Sequence, residues 1–254
     1  MTDDLSDLEP LTAGAAALGI PLRKEHLARF ARYRAMLLDW NTRMNLTAIT
    51  DPAEIVMRHF LDSLTCALAL PADERADRSR LRTLLDVGSG AGFPGLALAI
   101  AFPRWRVTLL EATAKKVRFL EAVITELGLT HARALAGRAE EVARQHEQRG
   151  HYALVAARAL AAWPTLLEYC APFARKDGLI IAPKKGDLTE EMAAGERAAK
   201  LLGAHVLLPI AIPTAPELDA LNDGRVLLVA RQERPCPPAY PRGGGAPVKS
   251  PLGA

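Results

Sequence analysis

The chain has 254 residues, half of them hydrophobic and 24% charged, with a formal net charge of +3. This composition suits one large or two small soluble globular domains, excludes an acidic disordered chain, and is too weakly basic to indicate nucleic-acid binding by itself. The three cysteines are too few and too scattered for a disulfide framework, and neither a signal peptide nor a membrane-spanning segment is recognisable, so a cytoplasmic protein is expected.

Helical periodicity dominates residues 1–78, which we interpret as an N-terminal helical lobe. Apolar residues fall largely on one face of a helix predicted over Lys24–Trp40. An aspartate followed by a proline has the form of an N-cap and first helical position, and it predicts a second helix over residues 52–70. The charged residues 71–80 are predicted to form a linker to the next domain.

Residues 79–234 alternate between short β-branched or leucine-rich runs and helical stretches, which is typical of a parallel sheet covered by helices. Five β-α units precede two strands joined by a loop, so we expect a seven-stranded, mostly parallel sheet whose last pair is antiparallel. The predicted strands are 83–87, 106–110, 132–135, 153–156, 178–182, 206–212 and 226–230. The predicted helices are 94–101, 114–127, 140–148, 164–173 and 188–202. Residues 235–254, rich in proline and glycine, are expected to form an irregular basic tail.

The strongest local signal is the glycine-rich turn Asp86–Gly95, which joins the first predicted strand to a helix. Glycines let a ligand approach the backbone closely, and ligands of open α/β sheets bind beyond the carboxyl ends of the strands. The carboxylate of Asp86 would repel a pyrophosphate, and it favours a ligand with a cationic amino-acid portion, such as S-adenosylmethionine. The turn also matches the dinucleotide fingerprint formally, so a protein that binds a nicotinamide dinucleotide is the more distant alternative.

A second acidic residue, Glu111, ends the next predicted strand. At that position its carboxylate can accept hydrogen bonds from both hydroxyls of a ribose. The glycine turn and the two acidic positions together predict an S-adenosylmethionine-dependent methyltransferase of the Rossmann-like class I type, an α/β fold here extended by N-terminal helices.

The fourth predicted strand ends at Arg158, where residues that face the methyl acceptor are expected. The chain has no Asn/Asp-Pro-Pro-aromatic turn there, which would indicate an exocyclic amine, and no cysteine placed to attack a pyrimidine carbon. A ring nitrogen with a free lone pair, such as guanine N7, needs no base, so alignment and electrostatics suffice. An enzyme that methylates a small molecule is the alternative; it would usually carry a base or a metal near this strand.

Several short motifs occur together along most of the chain. An Arg-His-x-Leu-Asp-Ser string lies at 58–63, and a Gly-x-Gly-x-Gly-x-Pro-Gly loop lies at 88–95. Further motifs lie at 115–120, 137–141, 158–159, 184–186 and 240–242. This combination resembles the bacterial glucose-inhibited division protein B family. The resemblance implies methyl transfer from S-adenosylmethionine to N7 of a guanine in the decoding-region loop of 16S rRNA, free or in the small ribosomal subunit, by a monomer without a metal.

The resemblance also implies which residues form the site. Arg158 is expected beside the methionine end of the cofactor or the target base, as the candidate catalytic residue. Cofactor contacts are expected from Asp86, Gly88, Gly90, Phe93, Glu111, Ala112, Thr113, Ala139, Glu140 and Arg158. RNA contacts are expected from His59, Arg118, Lys184 and Lys185. For His59 a buried hydrogen-bonded ring is the alternative, and for Arg118 a solvated charge.

Overall fold

The N-terminal part of the chain is helical in the computed structural model, which describes residues 5–77 and 79–253. The helix predicted from Lys24 is confirmed and extends further than expected. An additional first helix was not predicted, and a short exposed helix lies within the predicted linker. In chain order these three helices are α1 (Glu9–Ala17), α2 (Lys24–Met44) and α5 (Ala72–Ala76). A 3-10 turn at Ser6–Leu8 precedes α1. Residues 1–4 of the predicted lobe, residue 78 of the predicted linker and residue 254 of the predicted tail lie outside the described residues.

The second predicted helix is helical throughout, but it is not a single α-helix. It begins at an N-cap, where Oδ1 of Asp51 accepts a hydrogen bond from the amide of Glu54 at 2.8 Å. A π-helical stretch interrupts it, and such stretches occur frequently at functional sites. In order, the segments are α3 (Pro52–Ile55), the π-helix (Val56–Leu61), α4 (Asp62–Leu64) and a 3-10 turn (Thr65–Ala69).

A mixed sheet forms the centre of the molecule. Its order is β3-β2-β1-β4-β5-β8-β6, with β7 also paired to β8. The first five strands are parallel, and β8 is antiparallel to β5, β6 and β7, as predicted for the end of the sheet. The strands are β1 (Thr83–Val87), β2 (Arg106–Glu111), β3 (Ala132–Ala136), β4 (Tyr152–Ala156), β5 (Ala174–Lys185), β6 (Ala204–Val206), β7 (Ile210–Ala211) and β8 (Arg225–Gln232). The strand order reverses between β1 and β4, and open α/β sheets bind ligands at such a point.

Alternate residues of the central strands supply two cores, one on each face of the sheet. One core joins the N-terminal helices to the face that carries Leu84 and Val107, together with α6 (Gly95–Ala101) and α7 (Ala114–Glu126). The other core packs the face that carries Leu85 against α9 (Trp163–Cys170) and α10 (Thr189–Leu202). The helices from both parts of the chain therefore fix the edge of the sheet where the strands end.

In the sheet domain, one predicted strand is divided and one predicted helix is much shorter than expected. The single strand predicted over 206–212 is wrong, because Pro209 separates β6 from β7 and has no N–H to donate to a ladder, so the sheet has eight strands. The helix predicted over 140–148 is also wrong in length: α8 covers only Ala139–Val142, and hydrogen-bonded turns follow as far as Arg149.

The predicted tail is mostly irregular but is packed against the sheet domain. The guanidinium of Arg149 donates to the carbonyl oxygens of Cys236, Pro237 and Tyr240, each at 2.9 Å. Arg242 forms an ion pair with the fully buried Glu168 at 2.7 Å. A short helix, α11 (Ala246–Lys249), follows. In residues 5–77 and 79–253, no helix combines the length and apolarity that a membrane span needs.

Candidate active site

A cavity of about 420 Å³ lies at the carboxyl ends of β1, β2 and β3. It is bounded by the glycine turn, by the end of β2 and by the residues that follow β3 and β4. Its lining residues are Val87, Gly88, Gly90, Leu110, Glu111, Ala112, Lys116, Gly137, Arg138, Ala139, Glu140, Ala159, Leu160, Tyr169 and Val248. A wider groove of about 570 Å³ lies at the opposite edge, where the strands begin, and lacks the glycine turn. The cavity at the carboxyl edge, where the strand order also reverses, is therefore the candidate cofactor site, and we call it the cofactor cavity.

The carboxylate of Glu111 holds the glycine turn against the end of β2. Its Oε2 accepts a hydrogen bond from the amide of Gly90 at 2.9 Å, and its Oε1 accepts one from the amide of Thr113 at 2.7 Å. Each carboxylate oxygen has a second lone pair, so this buried side chain retains acceptor capacity at the cavity wall. That chemistry fits the hydroxyl donors of the ribose in S-adenosylmethionine.

The first glycine of the turn, Gly88, helps to leave room for a ligand. Gly88 has φ +72°, a left-handed conformation that disfavours side chains, and a Cβ there would lie 2.8 Å from Cδ1 of Leu160. Both residues line the cavity. The cradle therefore fits a ligand that passes close to the backbone, as the sequence predicts.

Asp86 lies beneath the glycine turn, is fully buried, and is absent from the cavity lining. Its Oδ2 accepts a hydrogen bond from the amide of Gly95 at 2.9 Å, whereas its Oδ1 is buried without a hydrogen-bond partner. Burial raises the pKa of this carboxyl from its ordinary 3.8 to about 7, although the hydrogen bond from Gly95 opposes the shift. Asp86 thus supports the turn from below.

Replacing Asp86 with asparagine is expected to change how stability depends on pH. Between pH 4 and pH 7 the unfolded carboxyl ionises while the folded one stays protonated, so the folded wild type loses stability as the pH rises. The Asp86→Asn variant lacks this loss. As the pH increases, its free energy of unfolding should therefore rise relative to that of the wild type, by up to about 1.4 kcal/mol per pH unit. Urea denaturation at pH 4, 5, 6 and 7 measures the difference. Asp73→Asn, on the exposed α5, is the control, and equal slopes for Asp86→Asn and wild type would contradict the prediction.

Arg158 follows β4 and extends from the sheet toward the N-terminal helices. Its Nη1 donates to Oδ2 of Asp62 at 2.8 Å and to the carbonyl oxygen of Arg58 at 3.2 Å. Its guanidinium carbon lies 5.0 Å from the centroid of the Phe93 ring, within range of a cation–π interaction. Ion pairing, hydrogen bonding and stacking together fix the plane of the guanidinium.

His59 stands behind this arginine. Its Nδ1 accepts from Nη2 of Arg158 at 3.1 Å, its Nε2 lies 2.7 Å from Oγ1 of Thr47, and its ring stacks on Phe93 with centroids 4.5 Å apart. Burial, assisted by the charge of Arg158, lowers the pKa of His59 from 6.5 to about 4, so the imidazole is neutral at pH 7. Both ring nitrogens are therefore engaged within the protein.

A second cavity of about 370 Å³ lies beside the first, and Ala159 lines both. Ala159 has φ +53°, a strained conformation for alanine that marks the boundary between the two cavities. We call the second one the acceptor cavity; it is lined by Ile49, Arg58, Asp62, Arg158, Ala159, Pro183, Lys184, Lys185 and Arg225.

The predicted site residues fall into five groups. Gly88, Gly90, Glu111, Ala112, Ala139 and Glu140 line the cofactor cavity, and Arg158, Lys184 and Lys185 line the acceptor cavity. Phe93 and His59 pack behind Arg158, whereas Asp86 and Thr113 contact the glycine turn and Glu111. Arg118 is exposed on α7 and lines neither cavity.

Sequence reasoning missed several residues of both cavities. Tyr169 and Val248 of the cofactor cavity come from α9 and from the tail, which carry no local sign of a site. Asp62 lies within a motif that the sequence had already singled out, so its role was open to prediction. Arg225 reaches the acceptor cavity from the start of β8 and has no local signal. In residues 5–77 and 79–253, no group of three or more His, Cys, Asp or Glu side chains is placed to hold a metal ion.

The chain is similar to known proteins over most of its length. The model of the family described as "GidB: rRNA small subunit methyltransferase G" matches residues 26–212. The ribosomal RNA small subunit methyltransferase G of Dehalococcoides mccartyi (strain CBDB1) is 44% identical over 246 residues, which cover 96% of this chain and 100% of that protein. The protein of the same name from Roseiflexus sp. (strain RS-1) is 43% identical over 247 residues, which cover 96% of this chain and 100% of that protein. Among solved structures, the antibiotic-resistance methyltransferase Kmr shares the fold, with a TM-score of 0.50 and 16% identity over 60% of this chain and 87% of its own.

Proposed function

The chain belongs to the rRNA small subunit methyltransferase G (GidB) family, and on that premise we propose that its methyl acceptor is N7 of a guanine in the decoding-region loop of 16S rRNA. It is an S-adenosylmethionine-dependent rRNA methyltransferase, as its family is.

One observation carries the choice of atom: every titratable side chain of the acceptor cavity that could serve as a base is already engaged. Asp62 binds Arg158 and Arg225, at 2.8 and 2.6 Å. Lys184 pairs with Glu191 at 2.5 Å, and Lys185 pairs with Asp223 at 2.7 Å. Guanine N7 carries an sp² lone pair and no proton, so it needs no base. An exocyclic amine or a hydroxyl would require one.

The cofactor cavity supplies groups that match the ribose and the adenosine of S-adenosylmethionine. When bound, the cofactor supplies an electrophilic methyl group on a sulfonium. Glu111 would accept hydrogen bonds from the ribose hydroxyls. The backbone of Gly88 and Gly90 would lie against the cofactor. Ala112, Ala139 and Glu140 would flank the adenosine. These assignments rest on the lining residues and on the acceptor capacity of Glu111.

The lining of the acceptor cavity has more cationic than anionic side chains, which suits an RNA strand that enters with its phosphates. Its charged lining consists of one carboxylate and five cations, Arg58, Arg158, Lys184, Lys185 and Arg225. We assign Arg158 to orient the target base and the two lysines to the flanking backbone. His59 serves indirectly, by holding Arg158. Arg118, exposed on α7, would contact RNA outside the cavity. We further propose that the enzyme works in the cytoplasm as a monomer and without a metal.

The test is transfer of labelled methyl groups to small ribosomal subunits from a strain that lacks the enzyme. Digestion of the labelled RNA and separation of its nucleosides should place the label in 7-methylguanosine, and mapping should place it in the decoding-region loop. A metabolite extract free of RNA is the control and should accept no label. Label in a pyrimidine or on another guanine atom would refute the assignment of N7.

A further inference from the structure

We propose that Asp62 is a positioning residue of the acceptor cavity, where its one buried carboxylate fixes the guanidinium groups of Arg158 and Arg225 toward the bound RNA. The inference rests on the proposed function in one respect, namely that this cavity receives the acceptor nucleotide. It holds for any acceptor atom in that cavity.

The carboxylate divides its two oxygens between the two arginines. Oδ2 of Asp62 lies 2.8 Å from Nη1 of Arg158, and Oδ1 lies 2.6 Å from Nη1 of Arg225. The arginines come from different parts of the sheet, since Arg158 follows β4 and Arg225 begins β8. Asp62 itself begins α4, directly after the π-helix, so three distant segments of the chain meet at one carboxylate.

The remaining bonds of each arginine complete the restraint. Arg225 donates through Nε and Nη2 to the two carboxylate oxygens of Asp223, both at 3.0 Å. It is thus held on one side by Asp223 and on the other by Asp62. Arg158 has His59 and the carbonyl oxygen of Arg58 as its further partners. Because these bonds lock the planes of both guanidinium groups, neither arginine has to be ordered when RNA binds.

The exposed fractions of the Asp62, Arg158 and Arg225 side chains are consistent with a positioning role for Asp62. The Asp62 side chain is 8% exposed and each arginine side chain is 15% exposed, and all three residues line the cavity. The carboxylate is therefore the least exposed of the three groups, and the lining holds more cations than carboxylates. The ligand class that such a pair of fixed arginines recognises is a phosphodiester with the base beside it, a strand of RNA.

Two roles for Asp62 predict different kinetics. If the carboxylate only offset the charge of the arginines, its removal would leave the cavity more cationic, so RNA would bind more tightly and kcat would not change. If it positions them, its removal lets the guanidinium groups move, and misplacement by about 1 Å can lower the rate about a hundredfold. The substitution Asp62→Asn keeps the shape of the side chain and one acceptor oxygen, so it distinguishes these roles with little loss of packing.

For Asp62→Asn we expect kcat to fall at least tenfold, with KM for small ribosomal subunits and the Kd of S-adenosylhomocysteine each within about threefold of wild type. In the Arg158→Ala background, Asp62→Asn should lower kcat by less than a further threefold, because Arg225 keeps its bonds to Asp223 and most of the effect of Asp62 acts through Arg158. Unchanged kcat, or the same fold loss in both backgrounds, would overturn the proposal. A parallel loss of S-adenosylhomocysteine affinity and thermal midpoint would also overturn it, since it would indicate a structural role.

A second variant keeps the proposal testable if Asp62→Asn does not fold. Arg225→Ala leaves Asp62 paired with Arg158, and it should lower kcat at least threefold while the thermal midpoint stays within a few degrees. No change in kcat would count against Asp62 as the shared anchor. All rates are measured as label transferred to total RNA, whereas the N7 assignment is measured by nucleoside analysis of the wild-type product. The two proposals can therefore fail separately.

Discussion

Replacing Arg158 with alanine is expected to lower kcat/KM for small ribosomal subunits by at least about a hundredfold. The guanidinium lines the acceptor cavity and is fixed by Asp62, by His59 and by the ring of Phe93. Removing one preorganised donor from an active site typically costs a hundredfold to a thousandfold in rate. The loss should fall on the transfer step, because Arg158 does not line the cofactor cavity. The measurement is single-turnover methyl transfer, with S-adenosylhomocysteine binding followed in parallel.

Two further variants sharpen the result for Arg158. Arg158→Lys keeps the charge but cannot reach Asp62, His59 and the Arg58 carbonyl together, so it should recover less than a tenth of wild-type activity. Arg104→Ala removes an exposed arginine just before β2, near the opposite edge of the sheet, and should retain wild-type rates. Arg158→Ala at more than a tenth of the wild-type rate would exclude a catalytic role for this residue.

Replacing Glu111 with alanine is expected to raise the Kd of S-adenosylhomocysteine by about 30-fold or more. The variant loses the hydrogen bonds from the amides of Gly90 and Thr113 that fix the turn, and it loses the acceptor for the ribose hydroxyls. A hydrogen bond to a charged group contributes about 1.5–3 kcal/mol, and about 2 kcal/mol corresponds to about 30-fold in Kd. Calorimetric titration of the variant with S-adenosylhomocysteine measures the change.

The controls for Glu111 separate its charge from its shape. Glu111→Gln keeps one oxygen acceptor and should lie between wild type and Glu111→Ala. Glu121→Ala removes an exposed carboxylate from the middle of α7 and should leave the Kd within twofold of wild type. A Kd for Glu111→Ala within threefold of wild type would show that the carboxylate does not serve the ribose.

The cofactor side of the site could be predicted because it is built from local sequence. The glycine turn directly follows β1, and Glu111 ends β2, so residue spacing alone places both at the same edge of a parallel sheet. The acidic residue at the end of β1 was also recognisable. The position of Asp86 beneath the turn could not be predicted, because packing decides the direction of a side chain at the end of a strand. The amide of Gly95 in α6 donates a hydrogen bond to Oδ2 of Asp86, so this carboxylate is directed to the turn and not to the cavity.

The acceptor side could be predicted only in part, because long-range pairing builds it. Asp62 and Arg225 are 163 residues apart, and nothing near Arg225 in the sequence indicates a site. The neutral state of His59 likewise depends on burial and on the nearby charge of Arg158, 99 residues later in the chain. Periodicity located α2 and the parallel strands well. It missed the interruption of the predicted strand 206–212, where a proline outweighs an apolar pattern.

The basic charge predicted for the tail is only partly available to RNA. Arg242 donates to both carboxylate oxygens of the buried Glu168, at 2.9 and 2.7 Å, and its charge is therefore paired inside the protein. Removing Arg242 would leave the buried carboxylate of Glu168 without its cation, which is strongly destabilising. Positive charge in a sequence does not by itself identify an RNA-binding surface, because an internal carboxylate can already hold the cation.

The packed tail also determines when, during synthesis of the chain, the cofactor cavity can be completed. Val248 forms part of the cofactor cavity wall, and the three carbonyls held by Arg149 anchor the residues that lead to it. Protein synthesis proceeds from the N terminus, so every strand of the sheet leaves the ribosome before this wall does. A nascent chain can therefore fold its sheet and still lack a complete cofactor site. The enzyme that modifies ribosomal RNA therefore completes its own cofactor cavity only after its whole sheet has been synthesised.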